Sequence, residues 1–161
     1  MEIRWEEELS ALLSDLSAVQ AELLDLLSRK RQLLVTANLE GLADLQPDEE
    51  QLAGRLQACH DQRAALLQRA AERGLPATSV RELTAALPRD QRHELTPRVK
   101  QTAARARLLQ HQSLANWVLA QRTVLHLSQM LEIIATGGRL QPTYGKENSA
   151  AAGGSLVDQA V

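Results

Sequence analysis

From Trp5 to Leu33, apolar side chains recur in alternating steps of four and three: Trp5, Leu9, Leu12, Leu16, Val19, Leu23, Leu26 and Leu33. Lys30 is the one polar residue on that seam. A 3.5-residue repeat held this long commits a chain to a long helix zipped along a narrow stripe. It predicts a helix over residues 5–37, roughly 50 Å long at 1.5 Å per residue. Leu13, Leu27 and Leu34 add an adjacent stripe, so this helix should face more than one neighbour. Its acids Glu6, Glu7, Glu8 and Asp15 come early and Arg29, Lys30 and Arg31 come late, an order that complements the helix dipole.

The repeat breaks near Asn38, a good helix cap. A second seam follows at Leu42, Leu45, Leu52, Leu56, Cys59, Leu66 and Ala70, with Glu49 and Arg63 at its two polar positions. Polar residues on a seam fix register at some cost in stability. Pro47 should bend this helix or mark its true start, and Gly74 with Pro76 ends it. The two helices then form an antiparallel hairpin with a very short turn. Ser79 and Glu82 read as a capping box for a short helix reaching Leu87, closed by Pro88. Residues 75–89 are the connector that returns the chain for a third long helix over residues 90–136, with a kink or restart expected at Thr96-Pro97.

Only 2% of the 161 residues are aromatic and phenylalanine is absent, so leucine must build the core. The fold class is therefore all-α: an elongated antiparallel three-helix bundle or coiled coil with a short connector helix. Residues 1–138 form that domain. Residues 139–161, small, polar and glycine-rich beyond Gly145, form a flexible tail. The formal charge of −2 and a pI near 6.1 do not suggest a nucleic-acid binder. The lone Cys59 fits a reducing compartment. Residues 1–8 alternate charge with bulk and do not form a secretory signal. No run of 18 apolar residues is present, which argues against stable membrane insertion. The expectation is a cytoplasmic protein.

Charge is split along the chain. Residues 1–25 hold seven acids against one arginine, whereas no acid lies between Glu94 and Glu132, where Arg98, Lys100, Arg105, Arg107 and Arg122 are basic. Opposite charge favours packing of the first and third long helices side by side and would help select their register. Residues 124–134 carry Val124, Leu125, Leu127, Met130, Leu131, Ile133 and Ile134, which occupy more than one helix face. A core-facing helix needs only about a 3/7 face, so part of this set is surplus to the bundle. The surplus reads as a surface for another protein. Gly137-Gly138 reads as a helix stop, and Tyr144, the single tyrosine, stands beyond it in a position suited to recognition.

Catalytic chemistry does not emerge. Cys59, His60 and Asp61 are adjacent on a helix and point in different directions, so they do not converge on one ion. No Glu-x-x-His or His-x-x-x-His pair is present, and no nucleophile motif. No enzyme activity, metal or cofactor is expected.

Taken together, these residues resemble the FlgN family of flagellar type III export chaperones. The resemblance rests on the leucine-rich first helix ending LLSRKRQLL, the DQRAALLQRA stretch of the second, Asn116-Trp117 in the long third helix, and the TGGRLQPTYG segment of residues 136–145. It implies a cytoplasmic chaperone, monomeric when free, that holds the terminal helical segments of hook–filament junction (hook-associated) proteins and prevents their premature assembly. It also implies a client site in the C-terminal half of the third helix, which matches Asn116, Trp117, Val124, Leu127, Met130, Leu131 and Ile134 here. Tyr144 matches the family tyrosine implicated in docking on the cytoplasmic domain of the export gate. Two other readings stand beside it: a self-associating coiled-coil scaffold using the same surface, and a nucleic-acid-binding helical arm, which the charge balance disfavours.

Overall fold

A computed structural model describes residues 4–138. Four helices follow one another: α1 (Trp5–Val35), α2 (Leu39–Glu72), α3 (Val80–Ala85) and α4 (Arg89–Thr136). No strand occurs among the described residues. The chain divides into two compact units, Met1–Thr123 and Val124–Val161. The flexible tail expected over residues 139–161 lies outside the described residues.

The turn between α1 and α2 is as short as the break in the repeat implies. Asn38 N–H bonds Leu33 O at 2.9 Å, and Ala37 closes α1 with φ of 49°. This is the left-handed cap geometry usually given to glycine. Asn38 Oδ1 accepts from Gly41 N–H at 2.9 Å and opens α2. Pro47 neither starts nor interrupts α2: the helix begins well before it, at Leu39, and runs through it. Pro97 likewise lies inside a continuous α4, with no restart. Ser79 Oγ accepts from Glu82 N–H at 3.1 Å, while the Glu82 carboxylate takes a bond from Thr78 Oγ1, so only half of the capping box is reciprocated.

The first unit is built on α1. Glu8 pairs with Arg69, Glu22 with Arg55 and Lys30 with Glu49, so α2 runs antiparallel to α1. Between these pairs Leu12, Val19 and Cys59 are buried, with Leu16, Leu23 and Leu56 packed on them. The polar positions of the two seams meet: Lys30 Nζ bonds both Glu49 oxygens at 2.7 and 2.8 Å. A second cluster closes one end of the hairpin. Leu9 and Leu13 of α1 meet Leu66 and Ala70 of α2, Leu83 and Leu87 of the connector, and Leu95 of α4. The connector is thus part of the core, because its two leucines cover an otherwise open end of the α1–α2 seam. Leu13 belongs to the adjacent stripe of α1, and this cluster is where that stripe finds its additional neighbours.

Against α1, α4 runs parallel. Arg98 reaches Ser10 and Ser14, Arg105 reaches Ser17, Asn116 reaches Leu27 and Thr123 reaches Leu34. The charge split therefore has a different destination from the expected one. Among the described residues no base of α4 makes an ion pair, and the α1 acids Glu8 and Glu22 turn to arginines of α2. The α1 positions facing Arg98 and Arg105 carry serines, whose hydroxyls and carbonyls accept the guanidinium protons instead.

Candidate functional site

A long helix leaves accessible whatever its neighbours do not cover. α4 meets the cluster that holds Leu9 and Leu13 of α1 through Leu95 and Val99, and its hydrogen bonds to α1 are made at Arg98, Thr102, Arg105, Asn116 and Thr123, all polar residues. Several large apolar residues of α4 in the first unit are accordingly left exposed: Leu114, Trp117 and Val118. Asn116, expected to contact a client, is instead buried at 5% exposure, and its Nδ2 donates to Leu27 O at 2.8 Å. It fastens α4 to α1. The reason is its place in the turn: Asn116 and Trp117 are neighbours on a helix and point different ways, so one faces α1 and the other solvent.

In the second unit α4 continues through Thr136 with Val124, Leu125, Met130, Leu131, Ile133 and Ile134 exposed, Leu131 at 66% and Ile134 at 72%. Leu127 is half-buried. At 100° per residue, Val124, Leu127, Met130, Leu131 and Ile134 fall within about 120° of arc. Gln129 and Glu132 lie on the opposite side of the same turns together with the exposed Leu125, and the exposed Ile133 also falls outside the arc, so apolar surface is not confined to that one face. The structure thus brings five of the expected site residues onto one face and leaves most of that face uncovered. Gly137 and Gly138 end the helix with φ of 61° and 76°, Gly138 N–H bonding Ile133 O at 2.9 Å. Tyr144 lies outside the described residues.

This face offers apolar area and a polarizable thioether, Met130, suited to accommodating varied side chains. It offers no reacting group. Elsewhere, Cys59 is buried in the α1–α2 seam, and burial pushes its thiol pKa up, so the sulfur stays protonated and packs as a small apolar residue. His60 and Asp61 beside it are exposed. Among the described residues no three potential metal ligands cluster, and no helix is long and apolar enough to cross a membrane.

Two features escape a reading of the sequence alone. One is the pair of arginine forks, although a signal for it is present: serines at positions 10, 14 and 17 match the helical spacing of Arg98 and Arg105. The other is a groove of about 400 Å³ lined by Arg31 of α1 and by His111, Leu114, Val118, Leu119 and Arg122 of α4. Its residues come from distant parts of the chain, and nothing in their local sequence pairs them.

Compared with known proteins, the chain matches the family described as FlgN protein over residues 1–152. No curated protein and no solved structure matches it.

Proposed function

This chain belongs to the FlgN family of flagellar export chaperones, and we propose that it captures terminal helical segments of hook–filament junction proteins on α4 and delivers them to the export gate. The observation that carries this reading is the face formed by the half-buried Leu127 and the exposed Met130, Leu131 and Ile134. An amphipathic client helix laid on that face would bury its own apolar stripe, the part that otherwise drives premature assembly. A client segment that folds as it binds gives up ordering entropy, which keeps the complex reversible and suits hand-over at the gate.

In this reading residues 1–138 act as the chaperone domain in the cytoplasm and the free chain is a monomer. Trp117 and Val124 extend the client surface, and Asn116 supports it by holding α4 in place. Residues 139–161 carry Tyr144, which docks on the cytoplasmic domain of the export gate. The alternative, a scaffold that self-associates through the same face, predicts a mass that rises with concentration.

Calorimetry against the terminal helical segments of the junction proteins tests the proposal. The expected result is saturable 1:1 binding with a negative heat-capacity change. Leu131→Asp with Ile134→Asp should abolish it while circular dichroism stays helical; unchanged affinity would remove this face as the site. Tyr144→Ala should leave client affinity intact in the same assay and reduce secretion of the client in a cellular export assay. Weakened client binding would place Tyr144 in the client site instead.

A further inference from the structure

The groove beside Arg31 has a chemistry that the face at residues 124–134 lacks. Leu114 and Val118 stand one turn apart on α4, at 60% and 40% exposure, with Leu119 beside them. His111 and Arg122 bound that apolar strip, roughly 16 Å apart along the helix axis. Arg31 of α1 lines the same groove. No carboxylate lines it, and α4 holds none from residue 95 to residue 131. Among the described residues neither Arg31 nor Arg122 makes an ion pair, whereas Arg55 and Arg69 of α2, which face α1, both do. The groove is thus apolar along its floor and positive at its rim, with that charge uncompensated.

We propose that this groove is a docking site for an amphipathic helix that carries carboxylates beside its apolar stripe. About three helical turns of such a partner match the strip. Leucine-sized side chains lie on Leu114, Val118 and Leu119, and acids at the edge of the stripe meet Arg31 and Arg122. A neutral helix would cover the same apolar area and leave two guanidiniums desolvated without partners, which selects against it. A basic helix would be repelled. Polynucleotide phosphates would meet the cations but set their solvated backbone on leucine and valine. The proposal rests on the reading of α4 as a client-binding helix and adds a sign to it: the segments captured here are acidic at the edge of their apolar face.

The test uses the full chain with two probes, read by fluorescence anisotropy at low and high salt. The first is the terminal helical segment of a hook–filament junction protein. The second is a designed three-turn amphipathic peptide with glutamates flanking its leucine stripe, together with its lysine counterpart. With the glutamate probe, Arg31→Gln/Arg122→Gln should weaken binding by about tenfold and flatten its salt dependence, since screening acts on the charge pairs and not on the apolar contact. The lysine probe should not bind. Leu114→Asp should weaken the glutamate probe as well. Equal binding of both designed probes, or an unchanged salt slope in the arginine variant, would overturn the groove assignment while leaving client capture at residues 124–134 standing. Loss of junction-protein binding only in Leu131→Asp/Ile134→Asp would have the same meaning. Failure of the wild-type chain to bind any junction segment would instead sink the chaperone reading, and the designed probes alone would then decide the groove. A mass that rises with concentration and returns to that of a monomer in the arginine variant would place a second copy of this chain in the groove and overturn the proposal.

Discussion

Two sides of one helix are built on different principles. Toward α2, α1 presents leucines that are sealed from water, such as Leu12 against the Cys59 layer, and Glu8, Glu22 and Lys30 pair with α2 along that contact. Toward α4, apart from Leu9 and Leu13 in the end cluster with Leu95, it presents Ser10, Ser14, Ser17 and Gln20, together with carbonyls at Leu27 and Leu34, and what binds them is hydrogen bonding. An apolar seam is strong and tolerant of sliding by a heptad. A column of directional bonds is weaker and allows one register. The α4 contact carries a sign of that weakness: Gln20 Oε1 and Gln112 Oε1 are buried with no partner among the described residues. Each such orphan costs on the order of 1–3 kcal/mol. Fixing α4 through polar residues spares its apolar ones, and in the first unit Leu114, Trp117 and Val118 are left exposed.

The largest expected effect lies on the apolar side. Leu66 is 1% exposed in the cluster that joins α1, α2, the connector and α4. Leu66→Ala should cost about 2–5 kcal/mol, lost transfer energy plus the cavity left behind. Urea unfolding of the variant measures it, and a loss below about 1 kcal/mol would show that this end of the bundle collapses freely onto the gap. It would also remove the main energetic contrast between the two sides of α1.

A change on the polar side should run in the opposite direction. Gln20 is 2% exposed; its Nε2 donates to Thr102 O at 3.0 Å while its Oε1 goes unpaired. Gln20→Met keeps the side-chain length and deletes the orphan oxygen, at the loss of one bond to a carbonyl that sits within α4. The expected outcome is a gain of about 1 kcal/mol in unfolding free energy. A loss of that size would mean that the amide, and not its burial, determines how α4 is held, and the proposed weakness of the α1–α4 contact would fall with it.

These two sides are not equally legible in the sequence. The α1–α2 seam can be read residue by residue, because heptad spacing is a local signal that repeats. Even its polar interruptions are visible, at Lys30 and Glu49. Charge points to the pairing of α1 with α4, yet the charges themselves pair elsewhere. Net sign along a helix says which neighbours attract, whereas the partner of each guanidinium depends on which side chain stands opposite, and that is set by register. The role of Leu83 and Leu87 as an end-plug is hidden for a related reason: a six-residue helix has no periodicity to reveal the face it buries. At the candidate site, the apolar arc of α4 is legible from spacing alone. The burial of Asn116 is not, since it depends on where α1 lies, and the groove at Arg31 needs two helices that are distant in the chain.

The smallest effect expected concerns a place where the apolar seam borrows the polar device. Lys30 and Glu49 occupy seam positions, with side chains 29% and 41% exposed and bonds of 2.7 and 2.8 Å. A pair this open to water gains only about 0.5 kcal/mol of coupling, because solvent screens the charges and ordering two long side chains costs entropy. A double-mutant cycle with Lys30→Met and Glu49→Gln, followed by urea unfolding, should return that value and should shrink in high salt. The pair contributes more through what it forbids. In a hairpin slipped by one heptad, Lys30 would face a leucine layer, so a desolvated ammonium penalises the slip far more than the native bond stabilises the register. The fully apolar replacement, Lys30→Met with Glu49→Leu, should therefore unfold at equal or higher urea while its α1–α2 register broadens, read as added resonances in an amide correlation spectrum. A single sharp set of resonances would show that the short turn at Asn38 alone sets the register, and that the polar pair on the seam is dispensable for it.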